Sequence, residues 1–148
     1  TLQATYRLKL FGIEPKVALL SHSNFGSHDT PGAQKMRKVR ELLKQRMPKL
    51  EVDGEMQGDT AWDEVLRKRM MPNTTLNGRA NLFVLPNIDA ANITYNMVRV
   101  MTDGVAIGPI LMGISKPVHI LTSSATPRRV VNMTAIAAVD AQIRAQQK

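Results

Sequence analysis

The amino-acid sequence predicts an α/β fold of three layers, in which helices cover both faces of a mainly parallel sheet. Residues 17–20 and 82–85 are short apolar runs without polar alternation, a pattern typical of strands buried on both faces. Between these runs, apolar residues recur at intervals of three and four, which is typical of helices. Because strands and helices alternate, the strands are expected to run parallel and to be joined by right-handed crossovers.

The predicted elements begin and end at recognisable capping and breaking residues. Thr30 and Thr126 each precede a proline, and each pair supplies an N-cap and a first-turn proline for a helix. Thr60 is predicted to cap a helix with one apolar stripe, formed by Trp62, Val65, Leu66 and Met70. In chain order, the pattern first predicts a helix ending at Gly12, a strand at 17–20, a helix ended by Pro48, a strand at 50–52 and a turn at 53–55. After the helix that follows Thr60, it predicts a strand at 82–85, a helix at about 90–101, a strand at 118–121 and a closing helix from Pro127.

Composition excludes several classes of function. The chain has 148 residues and no cysteine, so disulfides, thiolate metal sites and thiol redox chemistry are excluded. The net charge is +8, but the basic residues are spread over three helices and only six residues are aromatic, so we expect no nucleic-acid partner. A phosphate-rich small ligand suits such a charge better.

The sequence also bears on location and completeness. It has no run of 18 apolar residues and no signal-peptide layout at its start, so we expect a cytoplasmic protein without a membrane partner. The first predicted helix begins without a capping residue before it. This abrupt start suggests a fragment of a longer protein.

Ligands of parallel α/β sheets bind beyond the carboxyl ends of the strands, here the loops after Leu20, Val52, Leu85 and Leu121. The loop at residues 21–28 is rich in hydroxyl groups and backbone donors. It is either a phosphate cradle or an ordinary solvated loop, since it matches neither the Walker pattern nor the dinucleotide fingerprint.

Other catalytic arrangements have weak support in the sequence. The histidines, His22, His28 and His119, lack helical spacing and an acidic cluster, so no metal site is expected. Asp53 and Glu55 are either a pair of acid–base carboxylates or ordinary turn residues, and a turn is favoured. No Gly-x-Ser-x-Gly elbow is present, so serine-hydrolase chemistry has no support.

Several motifs resemble the phosphate acetyl/butyryltransferase family. They are Pro15 to Ser21, Val52 to Glu55, Ala80 to Leu82, Pro86-Asn87, Ala90 to Ile93 with Tyr95, Ile107 to Gly113 and Lys116 to Val118. The resemblance covers nearly the whole chain and implies a two-domain α/β unit that binds coenzyme A between its domains. It implies that residues 13–117 or so are the second subdomain, and that residues 118–148 return to the first.

The chain departs from the family pattern where active members carry catalytic residues. A hydroxyl is retained at Thr122, but Ser123 stands where the resemblance implies an arginine and Ala125 where it implies a cysteine. Arg129 stands where it implies the carboxylate that takes the thiol proton. Transferase chemistry is therefore expected to be largely lost while the binding cleft is retained.

The residues from Leu121 to Met133, together with Asp103 to Val105 and Leu111 to Gly113, resemble the transferase-like C-terminal domain of bacterial NADP-dependent malic enzymes. That resemblance implies a non-catalytic domain that binds acetyl-CoA or CoA as an effector, whereas NADP and a divalent metal would bind in a separate catalytic domain. It also implies a homo-oligomer and a partner in the missing N-terminal part. The alternatives are an active phosphate acetyltransferase and a purely structural oligomerisation module. The residues expected to bind the effector are Ser21, Asn87, Asn92, Tyr95, Gly108, Pro109, Lys116, Thr122 and Arg128.

Overall fold

The computed structural model describes residues 1–102 and 104–146. The chain divides into two compact units, Thr1–Asn96 and Met97–Lys148. The secondary structure consists of α1 (Leu2–Leu10), β1 (Lys16–Leu20), α2 (Pro31–Arg46), β2 (Glu51–Met56), α3 (Gly58–Trp62), α4 (Glu64–Met70), β3 (Leu82–Val84), α5 (Ile88–Met101) and α6 (Pro127–Gln146). The predicted subdomain boundary near residue 117 depends on whether residues 118–148 pack against another part of a longer protein, so it stays a prediction.

The first unit contains a parallel sheet with the strand order β2-β1-β3. Val17 of the central strand is in register with Val52 on one side and with Leu82 on the other. The predicted parallel sheet is therefore confirmed. Since β1 lies between two other strands, both of its edges are hydrogen-bonded within the sheet.

Helices pack on both faces of this sheet. On one face, Val17 and Leu19 contact Met36 and Leu43 of α2 in a buried cluster. On the other, Ala18 packs with Ala61 of α3 and with residues of the segment before β3 in a second buried cluster. These two clusters confirm the predicted α/β architecture of three layers. They also explain the uninterrupted apolar sequence of β1, because its alternate side chains enter two different cores.

The helix predicted after Thr60 is two helices. Asp63 interrupts it and caps α4, since its Oδ1 accepts hydrogen bonds from the backbone N–H groups of Val65 at 2.8 Å and Leu66 at 3.1 Å. Thr60 lies inside α3 and is buried, so its predicted role as a cap is wrong. A carboxylate is at least as good a cap as a hydroxyl, and α4 is therefore capped at Asp63, three residues after the predicted cap.

The apolar stripe predicted on this helix is also not a core face. Trp62, Val65 and Met70 are exposed, whereas Arg67 is fully buried. The Arg67 guanidinium donates to four backbone carbonyl groups, those of Thr60, Ala61, Leu76 and Gly78. An arginine thus occupies the interior position because it joins the two helices to the loop that precedes β3.

The predicted strand at residues 118–121 is absent from the structure. A strand exists through the ladder of hydrogen bonds to a neighbouring strand, and among residues 1–102 and 104–146 this segment pairs with none. Its apolar side chains are correspondingly open, with Val118 51% and Ile120 68% exposed.

No helix in the described part of the chain is both long enough and apolar enough to cross a membrane.

Candidate functional site

The loops that follow the three strands of the first unit meet at one edge of its sheet. Because the strands are parallel, the loop after β1, the segment after β2 and the segment after β3 all begin at their carboxyl ends. Asn24 links the first two of these, since its Oδ1 accepts from the backbone N–H of Gln57 at 2.8 Å. The loop at residues 21–28 is therefore held against the end of β2.

Glu55 is the anchor of this loop. Its carboxylate is buried, and Oε1 accepts hydrogen bonds from the Ser23 hydroxyl, the Gly26 backbone N–H and Nη1 of Arg37, each at 2.8 Å. Arg37 also pairs with Asp29 near the end of the loop. The loop is consequently an ordered structure built around one buried carboxylate.

Asp53 is buried two residues earlier in β2 and has a separate set of partners. Its Oδ1 lies 2.8 Å from Nη2 of Arg40, and its Oδ2 accepts from the Thr74 hydroxyl at 2.7 Å and the Thr75 backbone N–H at 2.9 Å. The interpretation of residues 53–55 as a turn is therefore wrong, because they lie within β2. Each carboxylate is buried with its own arginine of α2, because a buried charge requires a partner.

Four of the predicted binding residues lie in the first unit. Ser21 follows β1, and its backbone N–H donates to the carbonyl oxygen of Met56 at 2.8 Å. Asn87 caps α5, since its Oδ1 accepts from the Ala90 backbone N–H at 2.8 Å. Asn92 donates to the carbonyl of Ile88 one turn earlier in the same helix, and Tyr95 is 43% exposed. Ser21 and Asn87 thus lie at the same edge of the sheet, while Asn92 and Tyr95 lie along α5.

The other five lie in the second unit. Gly108 is buried with a positive φ of 138°, and its carbonyl oxygen accepts a 2.6 Å hydrogen bond from Nε of Arg129. The hydroxyls of Thr122 and Ser124 lie 3.0 Å apart. Lys116 and Arg128 are exposed, as is Pro109, which follows Gly108. The predicted cap of α6 agrees with the structure, because the Thr126 hydroxyl accepts from the backbone N–H of Arg129 at 3.3 Å.

Sequence reasoning missed the residues that hold these segments in place. Glu55 and Arg37 order the loop after β1, and Arg144 donates to the carbonyls of Ile114 and Ser115, each at 3.1 Å. Spacing carried a signal for the first pair. Residues 53 and 55 lie on one face of a strand, because they are two positions apart. Arg37 and Arg40 lie on one face of a helix, because they are three positions apart. This spacing allows two neighbouring ion pairs between the strand and the helix.

The remaining polar groups give no support to a different site. The rings of His22 and His28 contact each other with centroids 5.4 Å apart, and no cluster of three or more metal-binding side chains occurs in the described ranges. A shallow pocket at the opposite edge of the sheet is lined by Lys9, Glu14 and residues 46–50. None of the predicted binding residues lines that pocket.

The comparisons with known proteins decide the family. A sequence profile described as phosphate acetyl/butaryl transferase matches residues 1–138. The chain belongs to this family. Among solved structures, the phosphotransacetylase of Streptococcus pyogenes superposes on 95% of this chain with a TM-score of 0.89 and 34% identity, and the match covers 43% of that chain.

Two curated relatives are more similar in sequence. The NADP-dependent malic enzyme of Escherichia coli is 54% identical over 143 residues, which is 96% of this chain and 19% of that protein. The NAD-dependent malic enzyme of Rhizobium meliloti is 56% identical over 140 residues, which is 95% of this chain and 18% of that protein. The transferase family domain of this chain thus spans about a fifth of the length of the malic enzymes that it matches.

Proposed function

We propose that this chain is a non-catalytic regulatory and assembly domain of a malic enzyme, and that it binds acetyl-CoA as an effector. The observation that carries the proposal is the 2.6 Å hydrogen bond from Nε of Arg129 to the carbonyl oxygen of Gly108. Resemblance to active transferases implies a proton-accepting carboxylate at position 129. An arginine cannot accept a proton near neutral pH, and this one is tied to the backbone.

Loss of that carboxylate removes most of the transferase chemistry. A positioned general base contributes about 10²–10⁴ in rate. Ser123 in place of an arginine also removes a cation that would stabilise charge on a transferring phosphoryl group. Neither exchange removes the backbone donors and loops that would bind a thioester, so we expect binding without turnover.

The malic enzyme assignment rests on the order of the identities. The two malic enzymes are 54% and 56% identical to this chain, whereas the S. pyogenes phosphotransacetylase is 34% identical. The parent protein would then convert malate to pyruvate and CO₂, with a nicotinamide nucleotide and a divalent metal in a separate catalytic part. We propose NADP as that nucleotide, as in the name of the E. coli relative. A cytoplasmic location stays a prediction from composition.

Regulation by acetyl-CoA requires that the effector binds one global state of the parent protein more tightly than another. A coupling free energy of about 1–3 kcal/mol is typical of such effects. Acetyl-CoA lies downstream of pyruvate, so the response would link malate oxidation to the supply of a later metabolite.

Assembly is supported by the exposed apolar surface of α5. All residues of this helix are described, and none of them is buried. Ile93 is 66%, Met97 57% and Val100 76% exposed, an unusual amount of open apolar surface for one helix. This surface also favours the alternative of a purely structural oligomerisation module.

Isothermal titration of the complete polypeptide, meaning the proposed malic enzyme that includes this chain, with acetyl-CoA tests the proposal. We expect saturable binding, weakened in an Arg128→Gln variant that removes a cation suited to the phosphates of the coenzyme. Absence of binding would refute the regulatory role. If deletion of residues 1–148 changes the assembly size but leaves the response of malate oxidation to acetyl-CoA intact, the structural alternative is correct.

A further inference from the structure

Two arginines of α6 hold the segment of residues 108–115 at its two ends. Nε of Arg129 donates to the carbonyl oxygen of Gly108 at 2.6 Å. Nη1 of Arg144 donates to the carbonyl oxygens of Ile114 and Ser115, each at 3.1 Å. The arginines lie fifteen positions apart in the sequence, which corresponds to about 22 Å along an α-helix. The two ends of the segment are therefore fixed at distant turns of the same helix.

The segment needs such ties because it forms no helix or strand of its own. A third contact lies near its middle, where the backbone N–H of Leu111 donates to Nδ1 of His119 at 3.3 Å. Charged donors form stronger hydrogen bonds to carbonyl oxygens than neutral donors do. Arginine is well suited to this task, because its planar guanidinium presents several donors in fixed directions.

The segment also carries two of the residues expected to bind the effector, Gly108 and Pro109. Gly108 has a φ of 138°, which residues with a side chain rarely adopt, so this backbone conformation favours glycine. A loop that is ordered before the ligand arrives loses less conformational entropy on binding, and its affinity is higher for that reason.

We propose that Arg129 and Arg144 are positioning residues that keep residues 108–115 in the arrangement that receives acetyl-CoA, without contacting the ligand themselves. The inference rests on the proposed function of acetyl-CoA binding. The inference assigns a structural role to Arg129. This side chain stands in place of a catalytic carboxylate, and it orders the segment of residues 108–115.

The test compares four variants of the complete polypeptide, Arg129→Gln, Arg129→Lys, Arg144→Gln and the control Gln142→Ala, which changes an exposed residue of α6. Hydrogen exchange of peptides within residues 108–115 is measured without ligand, and acetyl-CoA affinity is measured by titration. We expect faster exchange and about tenfold weaker binding for both glutamine variants, in line with the effect of preorganisation. Arg129→Lys should restore part of both, since lysine retains a positively charged donor, and Gln142→Ala should match the wild type.

The outcomes separate this inference from the proposed function. If the wild type binds acetyl-CoA and both glutamine variants bind it equally well, the positioning role is refuted, whatever their exchange rates. Unchanged exchange in both glutamine variants also refutes it. If the wild type binds no acetyl-CoA, the proposed function itself fails, and this inference fails with it.

Discussion

Nη1 of Arg37 lies 2.8 Å from Oε1 of Glu55, and that carboxylate is almost completely removed from solvent. Arg40 makes the equivalent contact with the buried Asp53 at 2.8 Å, so two neighbouring arginines of α2 neutralise two carboxylates of β2. The ion pair of Arg37 also fixes the loop after β1, because the same carboxylate accepts from Ser23 and Gly26. Glu55 thus contributes both to the packing of α2 against β2 and to the order of the loop after β1.

Replacement of Arg37 by methionine should destabilise the chain by about 2–3 kcal/mol, the usual range for loss of a hydrogen bond to a charged group. The substitution keeps the apolar stem but leaves the buried Glu55 carboxylate without its cation. Chemical denaturation of the variant and the wild type measures the difference in the free energy of unfolding.

Lys38→Met is the matched control for this experiment. Lys38 pairs with Glu41 at 3.1 Å, and both side chains are largely exposed, so the expected loss is below about 1 kcal/mol. Equal losses in the two variants would contradict the view that burial of Glu55 makes its ion pair important.

Arg67→Met should destabilise the first unit by about 3 kcal/mol or more, because each buried carbonyl left without a donor costs about 1–3 kcal/mol. The variant removes a buried guanidinium that donates to four carbonyl groups, and these would lose their partners inside the protein. Arg69→Met, on the exposed face of the same helix, should change the free energy of unfolding by less than about 0.5 kcal/mol. Thermal or urea unfolding of both variants checks this, and a tolerated Arg67→Met would show that the carbonyls find other partners.

Gly54→Ala should be among the most damaging single substitutions in the chain. A Cβ atom there would lie 2.6 Å from the carbonyl oxygen of Leu19 and 2.9 Å from its Cβ, and Gly54 has a φ of 137°. We expect a loss of about 3 kcal/mol or more from steric conflict within the β1–β2 pair.

Gly58→Ala provides the comparison for Gly54. No atom lies within 4 Å of a Cβ at Gly58, which is the first residue of α3. Its replacement should be neutral or stabilising by up to about 1 kcal/mol, because alanine favours a helix. A neutral Gly54→Ala in the same unfolding assay would contradict the close approach of the two strands.

A pH effect is expected at Glu64. The side-chain hydrogen bond from Lys68, followed by one from the backbone of Gly78, lowers the pKa of Glu64 below its usual value. The charged form is therefore favoured in the folded protein, and its contribution to stability is present above the unfolded pKa and lost as the pH falls through the lowered folded pKa. Because Glu64 is partly open to solvent, which screens the charge, the contribution is small. An NMR titration of the Glu64 carboxyl group should show its pKa rise in a Lys68→Met variant, and an unchanged pKa would exclude the hydrogen bond as the cause.

The elements predicted correctly are those whose local sequence and tertiary environment agree. The strand at residues 17–20 and the helix from Pro31 are examples, since the first is apolar on both faces and the second has a threonine cap and a first-turn proline. Residues 118–121 have the same apolar character as a buried strand. Composition does not supply a neighbouring strand, however, and without one in the described chain the segment remains irregular.

The edge of the sheet at which the loops meet was predictable from the sequence, but the contacts that hold these loops were not. The rule that ligands bind beyond the carboxyl ends of parallel strands pointed to the loops after Leu20 and Leu85, and both loops begin at that edge of the sheet. The choice of Ser21 and Asn87 as binding residues came from the family resemblance, and it stays a prediction. Burial of Asp53 and Glu55 was not predicted, because charged residues in a Gly-containing segment usually indicate a turn. Their burial depends on arginines that are distant in sequence, which only the folded arrangement brings close.

The most direct test of the central claim is an assay of the complete polypeptide for formation of acetyl-CoA from acetyl phosphate and coenzyme A. Arg129 offers no proton acceptor and its guanidinium is bound to the Gly108 carbonyl, so in preparations that bind acetyl-CoA we expect at most a residual rate, about 10²–10⁴ below that of an active transferase. Robust turnover that is abolished by Thr122→Ala would contradict the account, because it would show that the chain retains a working transferase site.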